Sequence, residues 1–249
     1  MPGNTHHLNT SATLARVFGL AVLLLGVPRV AGLVADAFDY GRLDPDGAFA
    51  WISVHHIVQA LIFLAIMAFV TRRWGLHFGF GWGNQQAGWK WVRIFALIFA
   101  VYVVVSLLIV WLTGTFQFFP YPLTERNVIG QMGFQLLLSG PSEELIFRAF
   151  AITMLGLWLS GGLFRGKLSH ATIIAAIIFS LAHVGVSFAP FALSYHPFQL
   201  VYAFALGLAY GACYEQSKSM IYPMIMHSMS NVVAVGVSIL ASYWFAPGG

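Results

Sequence analysis

Charge is scarce in this chain. Of 249 residues only 8 are Asp or Glu and 12 are Lys or Arg, whereas 59% are hydrophobic, and the mean hydropathy is +0.80. Soluble domains carry roughly a quarter charged residues, so the composition excludes a water-soluble core. Cysteine is almost missing too. With Cys213 alone, an internal disulfide and a cysteine-rich metal site are excluded, and redox arguments assign no compartment. There is no Gly-x-Ser-x-Gly elbow. No pair of aspartates falls in an apolar segment either, because Asp36, Asp39, Asp44 and Asp46 cluster in one connection. Low-complexity tracts, internal repeats and a separate soluble domain are also lacking, so residues 1–249 read as a single integral-membrane domain. The polar stretch 1–12 runs into an apolar segment without a small-residue cleavage site, which predicts an uncleaved first span.

What the chain does have is apolar length. Seven hydrophobic segments, near 13–35, 49–71, 91–113, 129–159, 171–188, 198–214 and 220–245, are long enough to cross about 30 Å of hydrocarbon at about 1.5 Å per residue. Backbone polar groups in lipid must be satisfied within each segment. The fold class is therefore all-α, a polytopic transmembrane helical bundle of about seven spans in a lipid bilayer. Lys and Arg gather in alternate connections: Arg72, Arg73 and Lys90, then Arg165 and Lys167, then Lys218. The opposite connections hold the four aspartates with Arg42, the Glu125–Arg126 pair, and no charged residue from Ser187 to Pro197. This pattern predicts a cytoplasmic N-terminus. It also accounts for the net charge of +4 as positive-inside bias and leaves no support for nucleic acid as a partner. The connection Trp74 to Trp91, with four tryptophans, suits a membrane interface; a lid or docking surface is the alternative.

Against this background three polar groups stand out. Glu143 and Glu144 lie side by side within the apolar stretch Gln131 to Leu159, after Gly140-Pro141-Ser142 and before Arg148. A carboxylate in a span costs at least a few kcal/mol unless paired, hydrated or at work. Pro141 favours a helix start or a break within a longer helix. On a helix Glu144 and Arg148 pair one turn apart, and Glu143, about 100° round the axis, is left over. A salt-bridge knot that fixes packing is the plain alternative, although two acids with one arginine leave one acid unneutralised. The second group is His183, after Phe179-Ser180-Leu181-Ala182, and the third is His227 with Asn231 four residues on, on one helix face. A lone histidine in a span is usually a satisfied core residue, but these come from different spans, and bundle interiors build sites from converging helices.

Together the groups suit hydrolysis of a carbonyl compound. Glu143 with His183 would hold and deprotonate a water, while His227 and Asn231 would donate to the oxyanion. A variant would use Glu143, His183 and His227 as ligands of a zinc ion, but the His-Glu-x-x-His helix that often supplies such ligands is missing, so a metal is not required. A membrane carrier relaying protons, or an immunity factor that binds a toxin, is the non-enzymatic alternative, and the paired interrupted helices of many carriers are not seen.

The ordered Glu-Glu-x-x-x-Arg of 143–148, Phe-x-x-x-His of 179–183 and His-x-x-x-Asn of 227–231 resemble the motifs of the CPBP family, the intramembrane proteases that include CAAX prenyl endopeptidases and the bacterial Abi proteins. Gly207, Gly211, Tyr214, Glu215 and Ser219 resemble the run into the third motif. The resemblance spans about 129–235, with the catalytic core at about 129–245. It implies an all-helical membrane enzyme that cleaves peptide or membrane-protein substrates. It further implies Glu143 as base aided by His183, His227 and Asn231 as oxyanion hole, and Glu144 with Arg148 in support. The bacterial members imply the plasma membrane of a prokaryote. Arg165 and Lys167 could meet a substrate's C-terminal carboxylate, though positive-inside retention explains them as well and is the preferred reading. Gly207-x-x-x-Gly211 predicts close packing of two spans, within one chain or between chains. The expected depths of His183 and His227 agree only if a helix tilts or breaks.

Overall fold

The computed structural model describes residues 10–164, 168–188 and 190–245; Arg165 and Lys167 lie outside them. Seven helical runs make the bundle. They are α1 (Thr10–Ala35), α2 (Ala50–Trp74), α3 (Gln85–Thr113), α4 (125–156), α5 (His170–Leu181), α6 (Pro197–Ser217) and α7 (Ile221–Phe245). Two antiparallel hairpins join helices: β1 (Gly162–Leu163) with β2 (Leu168–Ser169), and β3 (Gly185–Phe188) with β4 (Phe191–Ser194). The all-α class therefore holds.

Span for span the correspondence is looser. Among the described residues, four helices, α1, α2, α3 and α7, are long and apolar enough to cross a membrane. The expected fifth span, 171–188, stops as a helix at Leu181 after 12 residues, about 18 Å at 1.5 Å per residue. A turn follows, then β3. That early stop leaves His183 in the turn beyond the helix.

α4 is the axis of the bundle. Every residue from Leu145 to Phe150 is buried, and Phe150 meets Phe63 of α2 at 5.2 Å and Phe78 of the α2–α3 connection at 6.0 Å between ring centroids. A segment that carries a buried ion pair, Glu144 with Arg148, must be shielded by protein on every side and so belongs in such a position. On the other side α6 closes on α5 and α4 through its glycines. A Cβ at Gly207 would come within 3.0 Å of Ala176, and one at Gly211 within 2.6 Å of Thr172 and 3.2 Å of Ile152. The Gly-x-x-x-Gly pair thus serves packing within the chain.

The two ends of the bundle separate the connections as their charges predicted. At one end the α2–α3 connection docks on the α6–α7 turn, with Asn84 N–H donating to the Ser217 carbonyl at 2.6 Å and Met220 N–H to Gly79 at 2.9 Å. The Trp74–Trp91 region is accordingly tied down as well as interfacial: Phe78 is buried while Trp74 and Trp82 stay exposed. At the other end Asn127 of α4 reaches Asp46 at 2.9 Å, and Arg126 lies 3.8 Å from the same carboxylate. There Asp44 receives the amides of Ala48, Phe49 and Ala50 at 2.7–2.8 Å and so caps the start of α2.

Candidate active site

The site is built on an irregular helix. α4 begins under a Thr124 cap, whose hydroxyl accepts from Asn127 N–H at 3.2 Å, and then widens twice, into π-helical turns at Gln135–Ser139 and Leu145–Phe150. Pro141 sits between them inside the run. It marks a break within a longer helix, one of the two forms its position allowed, and Glu143 is not at a free helix start. In a wide turn the Leu136 carbonyl would pair with the fifth residue on, which is Pro141 and has no N–H. Ser228 Oγ of α7 donates to that carbonyl at 2.9 Å instead. Gly140 permits this approach, since a Cβ there would lie 2.9 Å from the Ser228 backbone nitrogen and 3.3 Å from His227 Cβ. Sequence irregularity and close helix contact therefore coincide beside the two acids.

Glu144 is fully buried. One of its oxygens accepts from His227 Nδ1 at 2.7 Å, and the other lies 3.0 Å from Arg148 Nε. The arginine contact is an ion pair without hydrogen-bond alignment, and the guanidinium, itself buried, has no hydrogen-bond partner among the described residues. Its charge rests on ring faces, 4.5 Å from the Phe179 centroid and 5.3 Å from that of Tyr210. The expected Glu144–Arg148 pair is present, then, but Glu144 spends its better hydrogen bond on a histidine.

Glu143 keeps some exposure, 20% of its side chain. Its Oε1 lies 3.3 Å from His56 Nε2 and its Oε2 3.7 Å from His227 Nε2. His227 thus turns one ring nitrogen to each glutamate. Its ring stacks on Tyr210 at 5.1 Å; the Tyr210 hydroxyl pairs with Ser230 Oγ at 2.9 Å, and Ser230 donates to the His227 carbonyl at 2.8 Å. One turn on, Asn231 Nδ2 donates to Ser139 Oγ of α4 at 3.0 Å.

His183 stands in the turn after α5. Its Nδ1 donates to the Phe179 carbonyl at 2.9 Å, so a neutral ring leaves Nε2 as a base. The Phe179 ring meets His183 edge-on at 5.0 Å and His227 at 6.0 Å, while the hydrogen bond of His183 goes to its own helix end. The structure therefore joins Glu143, Glu144, Arg148 and His227 in one network, sets Asn231 a turn away, and brings His183 alongside. Among the described residues no three His, Cys, Asp or Glu side chains are grouped to hold a metal ion, so the set Glu143, His183 and His227 does not form a ligand cluster.

Two participants escaped the sequence reading, His56 and Gln59 of α2. Both are buried, and Gln59 Nε2 donates to Ser142 Oγ at 3.3 Å. The signal was available: a histidine doublet and a glutamine in an apolar span invite the question asked of Glu143. Beside them an apolar cleft of about 410 Å³ runs between α2, α4 and α7, with His56, Ser142, Pro141, Leu145 and Met224 on its walls.

Residues 125–233 match a family model described as type II CAAX prenyl endopeptidase, Rce1-like. The match covers all three motifs and leaves α1, α2, α3 and the rest of the chain before α4 outside it. No curated protein and no solved structure matches the chain.

Proposed function

We propose, for a chain that belongs to the CPBP family through its Rce1-like residues 125–233, that Glu143 is the base of a metal-free peptide-bond hydrolysis carried out within the membrane. The family supports CAAX-type endopeptidase activity in general. One observation carries the finer reading: a partly exposed carboxylate, Glu143, is held between two imidazoles while a second, buried carboxylate fixes one of those rings.

In this reading Glu143 takes a proton from water as the hydroxide adds to the scissile carbonyl. His183 Nε2 orients that water. The oxyanion accepts from the Asn231 amide hydrogen not used on Ser139 and from His227 Nε2–H; because Nδ1–H is held by Glu144, this role requires a His227 ring that carries both protons. Collapse of the tetrahedral intermediate breaks the C–N bond, and the proton on Glu143 passes to the leaving amine. Glu144 anchors the His227 ring, and Arg148 offsets the Glu144 charge. The apolar cleft beside His56 and Ser142 suits an apolar portion of a peptide or membrane-protein substrate. We assign the whole chain to one integral-membrane domain with its catalytic core at about 129–245. The distribution of Lys and Arg supports a cytoplasmic N-terminus, and the resemblance to bacterial members of the family supports the plasma membrane of a prokaryote.

The test compares peptide termini, by mass spectrometry, from cells carrying the wild-type protein or Glu143→Gln at matched, folded levels. Products that fall by about 10²- to 10⁴-fold in the variant, the range for removal of a general base, support the protease and yield its substrate. Identical termini would overturn it in favour of the carrier or immunity reading. For the purified enzyme, a chelator that leaves turnover unchanged is expected, and stoichiometric zinc lost on His183→Ala would refute the metal-free form.

A further inference from the structure

The nearest polar neighbour of the Glu143 carboxylate comes from outside the family match. His56 Nε2 of α2 is 3.3 Å from Oε1, closer than His227 at 3.7 Å. The His56 ring is held on three sides: its Nδ1 donates to the Ile52 carbonyl at 2.9 Å, Phe134 meets it edge-on at 4.9 Å, and His55 lies at 5.2 Å. With Nδ1–H committed to Ile52, the contact with Glu143 is a hydrogen bond when a proton lies between Nε2 and Oε1. One turn along the same face, Gln59 donates to Ser142 Oγ, and Ser142 donates to the Ser139 carbonyl at 3.3 Å. Two polar side chains of an apolar helix thus direct their polar atoms at the turn 139–143. Burying them in a span is costly without such partners, and simple packing would have been met by apolar side chains of the same size.

We infer that His56 is a positioning residue for Glu143: by donating Nε2–H to Oε1, from a ring that then carries both protons, it fixes the rotation of the carboxylate, keeps it ionised and leaves Oε2 as the oxygen presented to water beside His227. This rests on the protease reading above. A base free to turn is misaligned for part of the time, and misalignment lowers the rate of the chemical step more than substrate affinity. α2 would then belong to the catalytic unit, with Gln59 clamping the neighbouring Ser142.

The experiment uses the full chain in lipid nanodiscs and a peptide containing the bond whose cleavage Glu143→Gln abolishes. His56→Phe keeps a ring against Phe134 but supplies no proton, whereas His56→Gln keeps an amide donor. Expected for His56→Phe is a kcat lower by about 10- to 100-fold with KM within about twofold, and His56→Gln should recover most of that loss at an equal melting temperature. A second readout needs no turnover: the ¹⁵N signal of His56 Nε2 should move in Glu143→Gln while that of Nδ1 stays. If kcat of His56→Phe remains within about twofold of wild type, or if the Nε2 signal ignores Glu143→Gln, the positioning role is overturned and the protease reading survives. Equal impairment of both variants with a lowered melting temperature would assign His56 to packing and overturn it as well. A wild-type protein that cleaves nothing would remove the protease reading, and the positioning role with it.

Discussion

α3 and α4 are the two longest helical runs in the chain, and they are built inside out with respect to each other. Only 11% of the most apolar part of α3 is buried, and Leu97, Val104 and Leu112 are about two-thirds exposed. α4 carries Glu143, Glu144 and Arg148, yet Leu145–Phe150 is buried on every side. In water the apolar helix would be inside. In a bilayer the lipid tails are as apolar as leucine, so hydropathy no longer drives α3 inward, and the polar groups of α4 must instead be shielded by protein. The buried network around Glu144 is what makes α4 central, and substitutions there and on α3 should differ by several kcal/mol.

The largest expected effect is Arg148→Leu. It leaves the buried Glu144 carboxylate with His227 alone, and breaking a buried pair from one side costs about 3–5 kcal/mol. Unfolding in lipid nanodiscs should show this loss, and adding Glu144→Gln should return part of it, since the stranded charge is gone. A wild-type melting temperature for Arg148→Leu would break the contrast between the two helices.

Next comes a change of rate with little change of stability. Asn231→Ala removes the amide that meets Ser139 from α7; loss of one oxyanion donor lowers kcat by about 10²- to 10³-fold. Steady-state kinetics should place the loss in kcat with KM little changed. An unaltered kcat would limit Asn231 to tying α7 to α4.

Asp44 tests the end of the bundle away from the α6–α7 turn. Burial alone pushes its carboxyl up, but the amides of Ala50, Phe49 and Ala48, with the Arg126 charge, outweigh burial and hold it below its ordinary 3.8. A carboxyl depressed in the folded state contributes stability that is complete above the unfolded value, near 4, and is lost as the pH falls through the folded value. Asp44→Asn should therefore cost about 1–3 kcal/mol at neutral pH, and the gap between wild type and variant should close below pH 3.8. A gap unchanged down to the lowest pH would assign the effect to shape.

The legibility of the sequence follows the same inside-out division. Apolar length announced each of the seven helices, though not all of their ends, because lipid leaves a spanning backbone no other form. The stop of α5 at Leu181 escaped, since Ala182, Val184 and Val186 prolong the apolar run, although their period of two is the strand spacing that 185–188 adopts. Spacing placed Glu144 with Arg148 and His227 with Asn231, as contacts along one helix are local. It could not place His56 on Glu143, a contact 87 positions apart in the chain, nor give Glu144 its bond to His227, which depends on how closely Gly140 lets α4 approach α7.

The smallest effect is expected from α3 itself. Val104→Ala removes two methyl groups from a side chain that is 66% exposed on the face turned away from the bundle, so no cavity opens and the lost contacts are with lipid. The melting temperature in lipid nanodiscs should correspond to a change within about 0.5 kcal/mol, the range for substitutions away from packed features. Phe95→Ala tests the buried face of the same helix, where Phe95 stacks on Phe99 at 5.5 Å and meets Tyr210, the ring that carries His227, at 5.5 Å. Its truncation should cost about 3–5 kcal/mol, so the contrast with α4 belongs to the outer face of α3 and not to its buried face. A large loss at Val104 would mean that the outer face of α3 is covered by protein, and the contrast with α4 would then be one of degree.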